Sequence, residues 1–401
     1  MIGWRWCAVL SLMCGAANAA QWTLTPQVGL SADYQDNPQL LLKNAQAVGV
    51  ASVDARAELA VDSDSTQFSA TPHLHAVRYP DDAELDNDSQ GLALSYHHEG
   101  EHTTWSIAGD SARDSTLTTE REDTGFVQAH KWRNSSNVNP AWSREWSDGW
   151  VGKVSAGYSD VAYEKANATL LADYNYKNID VGVSWESSER TQWGASLTAA
   201  RLNAPVYRNI SDNFGVQVSF AYAWSDTKRL NVSGGARYND LRLASGMQQR
   251  THEQTRGWTL DAAYDAESEL NTWNLQASRS VDPSGAGVLV QKDKLAFALG
   301  RALTEQVNGS VNLTALQIEE LQRVKFSTRR QYATVSVQLS WAWASAWTVS
   351  AAYGYTQQHY QGVNGTPQAS NVQFMLTWQG EPKIIQSKSR SLRSEDNGTE
   401  Y

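Results

Sequence analysis

Apolar and polar residues alternate along nearly the whole chain. The even positions of Trp22–Tyr34 are apolar, and the odd positions between them are small or polar. The same alternation runs through Ala333–Trp343 and resumes in Trp347–Tyr355. Strict alternation predicts β-strands whose two faces meet different surroundings.

These predicted strands are about ten residues long or longer, whereas strands of soluble proteins usually have about five or six. Their apolar faces tend to begin and end in Trp or Tyr, with smaller aliphatic residues between. Aromatic ends on an apolar stripe are typical of the lipid-facing surface of outer-membrane barrels. A soluble β-sandwich also alternates and is the alternative, but strand length and the aromatic ends favour the membrane.

The connections alternate between short turns and longer polar loops, as in barrels with short periplasmic turns and longer external loops. The sequence therefore predicts an all-β transmembrane antiparallel up-and-down barrel of about eighteen strands, with both termini periplasmic. Segment 113–147 is interpreted as a loop and one long strand ending at Trp146, and a different division there would change the count, with sixteen as the alternative. The short turns are expected near 62–65, 99–101, 147–149, 187–190, 225–228, 266–269, 304–305 and 345–346. The longer loops are expected near 35–44, 80–90, 112–128, 164–167, 203–209, 244–253, 282–290, 319–329 and 361–369.

Residues 1–19 have the pattern of a secretory signal peptide. Arg5 precedes an apolar stretch, and Ala17-Asn18-Ala19 fits the small-x-small rule for cleavage before Ala20. Both cysteines, Cys7 and Cys14, lie in this segment. The mature chain is therefore expected to have no disulfide and no thiol chemistry.

The barrel is expected to span 20–379 and to be followed by a disordered periplasmic tail, 380–401, which is polar and charged. The last strand carries an outward apolar face that ends in an aromatic residue. Such a strand is the signal that the outer-membrane barrel-assembly machinery recognises. Its residues are Val372, Phe374, Leu376 and Trp378.

Composition agrees with an outer-membrane location in a Gram-negative bacterium. The chain has 17 Trp and 16 Tyr, a mean hydropathy of -0.51 and no apolar run long enough for a membrane helix. Its formal net charge of -10 argues against nucleic-acid binding.

Motifs for chemistry are weak. His97, His98 and His102 cluster near a predicted turn, but alternation sends the first two to opposite faces, so no metal is expected. The sequence has no G-x-S-x-G elbow, phosphate-binding glycine loop or dinucleotide motif. A non-enzymatic barrel without a cofactor is expected, and an enzymatic or structural barrel with a plugged lumen is one alternative.

The polar face carries charges of both signs, which is compatible with a wet channel or with internal pairing. Trp and Tyr suit sugar stacking, although most have the lipid-facing parity. The candidate pore-lining residues are Asp54, Arg56, Glu58, Lys153, Asp180, Arg237 and Asp261.

Several motifs resemble the EpsL-like barrels of exopolysaccharide operons, also known as PEP-CTERM-system-associated barrels. The resemblance implies export or assembly of a surface polysaccharide, with the polymer and with periplasmic and inner-membrane export proteins as partners. A general or sugar-selective diffusion porin is the alternative. The motifs lie in Trp22–Pro26, Asp33–Pro38, Glu122–Gly125, Asn139–Trp142, Tyr158–Tyr163 and Ser278–Val290.

The last of these motifs includes Pro283, Ser284, Gly285 and Gly287. Proline fixes its φ angle and glycine permits a positive φ, a combination that is typical of a tight external loop. Arg279 precedes it at lipid-facing parity. We expect outer-membrane lipid around the barrel and lipopolysaccharide phosphate near Arg279 at the outer rim.

Overall fold

The computed structural model describes residues 21–116, 131–164, 171–245, 249–321, 329–362 and 364–385. The predicted signal peptide with its two cysteines lies outside these residues, and so do the motif at 122–125 and segment 386–401. One 3-10 helix occurs in the described part, at Ala83–Leu85. No helix found there is long and apolar enough to cross a membrane.

The strands form one antiparallel sheet in chain order. They are β1 Gln21–Gln35, β2 Val48–Asp62, β3 Thr66–Arg78, β4 Asn87–Glu99, β5 Thr103–Ser115, β6 Trp132–Ser147, β7 Trp150–Tyr163, β8 Tyr174–Ser188, β9 Thr191–Ala204, β10 Asn209–Ser225, β11 Lys228–Ser245, β12 Gln249–Glu267, β13 Asn271–Pro283, β14 Leu289–Ala302, β15 Val307–Glu320, β16 Arg329–Ala344, β17 Trp347–Tyr360, β18 Gln368–Gln379 and β19 Lys383–Ile385.

The sheet closes on itself because β1 pairs with both β2 and β18. Closure leaves no sheet edge across the apolar outer band, as a strand protein in lipid requires. The predicted barrel of eighteen strands is confirmed. Its uncertain segment is resolved as predicted, since β5 is followed by the single strand β6 in the described residues.

Two connections that we expected to be long are short. Only residues 205–208 separate β9 from β10, and β12 begins only four positions after the end of β11. Backbone pairing continues to Ala204–Asn209 in the first case and to Ser245–Gln249 in the second. The polar residues that suggested loops instead extend these strands beyond the rim.

The outward face carries the apolar residues, with a belt of tryptophans near the short turns. Two pairs in this belt are Trp150–Trp185, with ring centroids 5.8 Å apart, and Trp105–Trp142, 6.0 Å apart. An aromatic girdle at the membrane interface accounts for this concentration. Other members are Trp146, Trp193, Trp224, Trp273, Trp341, Trp343, Trp347 and Trp378.

At the opposite end the outward face changes from apolar to polar at one height on the four neighbouring strands β13–β16. The register aligns a continuous polar row, which consists of Arg279, Asp293, Gln317, Gln331 and His359. One row nearer the middle the outward residues of β13–β16 are apolar, namely Ala277, Leu295, Ala315 and Ala333. This change of polarity marks the external limit of the hydrocarbon layer.

The short strand β19 continues the line of β18 after Gly380. It pairs with the periplasmic end of β1, where Ile385 lies opposite Trp22. These three residues are paired although they belong to 380–401, the segment predicted as a disordered tail.

Candidate functional site

The inward face of the barrel is the candidate site. All seven residues proposed to line a pore alternate with outward apolar neighbours and therefore lie on this face. Arg56, Glu58, Lys153 and Asp261 are exposed, whereas Asp54, Asp180 and Arg237 are partly buried.

These charges do not converge on one point. Strands β2 and β11 lie nine strands apart in a barrel of eighteen, so Asp54 and Arg237 lie on opposite walls. On the β2 wall, Arg56 Nε donates to Gln27 Oε1 at 2.8 Å, and His75 Nδ1 lies 3.7 Å from Asp54 Oδ2. Both signs are thus interspersed along this wall.

The wall splits at its external end between β12 and β13. Their pairing ends at Leu260 and Arg279, whereas β12 remains paired with β11 up to Gln249. The far ends of β13 and β14 remain paired with each other as far as Pro283 and Leu289. The hairpin is therefore unpaired on its β12 side, although β14 stays paired with β15 as far as Val290 and Glu320, and it can bend away from β12. We call residues 280–290 the constriction hairpin.

The constriction hairpin folds into the lumen and contacts strands several positions away. The Ala172 amide donates to the Gly285 carbonyl at 2.8 Å, and Asn209 Nδ2 donates to the Gly287 carbonyl at 3.4 Å. Gly287 has a φ of 69°, and a Cβ built on it would lie 2.7 Å from the Ala204 Cβ. Glycine is required here both by the positive φ and by the close approach.

Burial of the inner wall confirms the position of the hairpin. Leu202, Ser211 and Leu241 form one inward-facing row across β9, β10 and β11. Each is at most 1% exposed, which a water-filled lumen would not allow. Val281 and Leu289 of the hairpin belong to the same buried apolar cluster as Leu202 and Leu241.

The position of Pro283, Ser284, Gly285 and Gly287 therefore differs from the expected one. The motif lies at the external end, but it turns into the barrel instead of forming an exposed loop. The turn is closed by a hydrogen bond from the Gly287 amide to the Ser284 carbonyl at 2.9 Å. The physical reason is burial of Val281 and Leu289, whose apolar side chains lie beyond the polar row where no hydrocarbon is available to them.

Some polar atoms on the inner wall near the hairpin lack hydrogen-bond partners among the described residues. Three inward polar atoms of β10 and β11 are buried without a hydrogen-bond partner in the described chain: Ser211 Oγ, Arg237 Nη1 and Asn239 Oδ1. A buried polar group without a hydrogen bond lowers the free energy of unfolding by about 1–3 kcal/mol. Within the hairpin, Ser280 Oγ donates to Asp282 Oδ2 at 2.6 Å.

Arg279 lies on the outer face beside the split in the wall. Its Nη2 donates to Asp293 Oδ2 at 2.7 Å, and its guanidinium lies 3.9 Å from the ring centroid of Trp258. Asp293 is not among the residues predicted from the sequence, although its lipid-facing parity in a strand next to Arg279 was a usable signal. The guanidinium therefore pairs with a carboxylate of the same chain and is less available to bind lipopolysaccharide phosphate, the role expected from the sequence.

We expect Arg279→Gln to lower the free energy of unfolding by about 1–3 kcal/mol, because Asp293 would lose a charged partner at a partly buried site. Urea titration of the barrel in phospholipid vesicles measures this change. Arg56→Gln, on the exposed inner wall, is the matched control and should change stability little. Equal effects of the two substitutions would contradict a stabilising role for the ion pair.

The histidines noted in the sequence do not converge. His97 faces inward, whereas His98 faces outward and lies 2.9 Å from Thr66 Oγ1 through its Nδ1. His102 lies in the following turn beside Glu101. Among the described residues no group of three His, Cys, Asp or Glu side chains could hold a metal.

A closed barrel with an apolar outer band, a tryptophan girdle and a polar inner face defines an integral outer-membrane β-barrel protein. No family model matches the sequence, and no curated protein matches it.

Solved outer-membrane barrels are similar to the chain. A BenF-like porin from Pseudomonas fluorescens Pf-5 matches with 8% identity and a TM-score of 0.47, over 92% of this chain and 99% of the porin. Pseudomonas aeruginosa OccK3 (OpdO) matches with 7% identity and a TM-score of 0.46, over 90% and 95%. A bacterial polysaccharide outer membrane secretin matches with 9% identity and a TM-score of 0.36, over 89% and 98%.

Proposed function

We propose that this protein is a passive diffusion pore for small polar solutes, narrowed by the constriction hairpin. The observation that carries the proposal is a change in burial along the inner face of the barrel. The inward row of Leu202, Ser211 and Leu241 near the external end is buried, whereas Arg56 and Glu58, nearer the periplasmic end, are exposed.

Solutes would pass along the wall formed by β1–β6, beside the loops that cover its external end, because the hairpin covers the external end of β9–β11. Charges of both signs line that wall, including Arg56, Glu58 and Asp54 on one strand. A selective ion sieve needs a concentrated ring of one sign. We therefore expect a polar passage with weak ion selectivity.

Exopolysaccharide export, which the family resemblance implies, requires a path for a polymer chain. A hairpin folded into the lumen reduces the available cross-section and favours the diffusion alternative. Passive diffusion also requires no energy source and no periplasmic or inner-membrane partner.

The outward face of β18 supports a proposal about assembly. Val372 and Phe374 are exposed on it, and Trp378 lies opposite Val28 of β1 and Trp347 of β17. We propose that this face, together with Leu376, is what the barrel-assembly machinery recognises before β1 and β18 pair.

The purified barrel is expected to conduct when it is inserted alone into a planar lipid bilayer. Steady single-channel steps in potassium chloride, with a reversal potential near zero across a salt gradient, would support a weakly selective pore. A barrel that inserts but remains closed over the whole voltage range would contradict the proposal.

Gene deletion separates diffusion from export in the cell. We expect slower uptake of small polar solutes and an unchanged amount of surface polysaccharide. Loss of the polysaccharide with normal uptake would instead support export.

A further inference from the structure

A cavity lies on the wall opposite the constriction hairpin. It has a volume of about 200 Å³ and lies at the external ends of β1–β4, beside β18. Inward-facing Asp33, Ser52 and His75 line its polar side, together with Gln373 of β18. The cavity is on the path proposed for solutes, near the external mouth.

The loop after β1 roofs the cavity and is firmly anchored. Asn37 Nδ2 donates to the carbonyls of Leu41 and Gln368, each at 2.9 Å, and Asn37 Oδ1 accepts from the Leu41 amide at 2.8 Å. The Ser370 amide donates to Asp36 Oδ1 at 2.7 Å. The motif at 33–38 thus supplies both anchors, Asp36 and Asn37, and three lining residues.

The loop between β3 and β4 closes the other side. The Tyr79 amide donates to Asp86 Oδ1 at 2.7 Å, and Asp82 caps the 3-10 helix that carries Leu85. Leu85 is buried and lines the cavity with Val50 and Val77. Both covering loops are therefore held in place, so the cavity is formed before any solute arrives.

The cavity combines a carboxylate oxygen that accepts no hydrogen bond from the described residues with an apolar surface formed by Val50 and Val77. Asp33 Oδ1 is buried and accepts no hydrogen bond within the described residues, while Ser31 Oγ donates to Oδ2 at 3.4 Å. The side-chain amides of Gln35 and Gln373 each offer donors and acceptors. A ligand must therefore donate to a carboxylate, exchange hydrogen bonds with amides and cover an apolar surface.

We propose that this cavity is a binding subsite for a single pyranose sugar. This inference rests on the proposed diffusion function. Sugar hydroxyls donate and accept, which suits Asp33 together with Gln373. The C–H face of the ring suits Val50 and Val77. A simple cation would use the carboxylate without the apolar surface, and an anionic solute would be repelled by Asp33.

The test combines conductance with direct binding, using the full mature chain. D-glucose is titrated onto single channels in a planar bilayer, and in parallel onto the detergent-solubilised barrel in a calorimeter. We expect a saturable decrease in current and a saturable heat. Asp33→Asn should weaken binding by about tenfold or more, because hydrogen bonds to charged groups contribute about 1.5–3 kcal/mol. Asp226→Asn, at an exposed carboxylate in the short turn between β10 and β11, should change neither signal.

Gln373→Ala is a second variant that should weaken glucose binding. The heat-modifiable migration on gels, which shows that a barrel is folded, is checked for each protein. Steady conductance with no glucose heat and no decrease in current would overturn the subsite and leave the pore intact. In another outcome, the barrel never conducts but still releases heat on binding glucose, with less heat after Asp33→Asn. That result would support the subsite and overturn the pore. Tighter binding of choline than of glucose would overturn the assignment to a sugar.

Discussion

Replacing residues 284–288 with a two-residue Asn-Gly turn is expected to raise the single-channel conductance severalfold. The shortened hairpin could no longer reach Ala172 and Asn209, which now contact its tip. Val281 and Leu289, which pack beside Leu202 and Leu241, would then hold the hairpin without help from its tip, so the hairpin should move away from β9–β11 more readily and the passage should widen. Conductance in planar bilayers measures the change, and liposome swelling with sugars of increasing size reports the new exclusion limit.

A single substitution tests the same contact with less disturbance. Gly287→Leu places a side chain where a Cβ already meets Ala204 at 2.7 Å and Ala172 at 3.0 Å, so the tip should be displaced and the conductance raised. Gly257→Ala is the matched control, because a Cβ built there meets no heavy atom within 4 Å. A folded barrel of unchanged conductance in both hairpin variants would show that the hairpin does not limit the passage.

Leu313→Arg is expected to lower the free energy of unfolding in lipid vesicles by about 2–4 kcal/mol, the cost of an arginine on the lipid face near the bilayer midplane. Leu313 faces outward and lies opposite Phe297 and Val335 on the neighbouring strands. Polar residues of the same parity begin four positions further along, at Gln317. Urea titration in phosphatidylcholine vesicles measures the loss.

The neighbouring residue supplies the control. Asn312 faces inward and is exposed in the lumen, so Asn312→Arg should cost little stability and should shift ion selectivity towards anions instead. The opposite order of stabilities would mean that the two faces of β15 have been assigned the wrong way round, and the barrel interpretation would fail with them.

Most of the wall was predictable from local pattern. Because alternation has a period of two, the sequence of each strand indicates which of its residues share a face. In Ala333–Trp343, for example, the odd positions face lipid as predicted. The turns and the girdle follow from Trp, Gly and charged residues at the strand ends, and these signals depend only on a residue and its near neighbours.

The lumen was less predictable. Alternation places Asp54 and Arg237 on the same inner face but does not show that they lie on opposite walls. It also does not show which inner row is covered. One signal was available for the hairpin: Val281 and Leu289 are apolar, have outward parity and lie beyond the charged pair Arg279–Asp293, where lipid hydrocarbon has ended.

The amino-acid sequence by itself determined that this chain forms a membrane barrel, because each strand must present alternate residues to lipid and to the lumen whatever its partners are. Only the tertiary structure decided where the wall splits at Leu260 and Arg279, and that the freed hairpin fills one side of the lumen. It also decided that Asp33 and Gln373 meet in one cavity. These features depend on contacts between segments far apart in the chain, whose free energy no local pattern records.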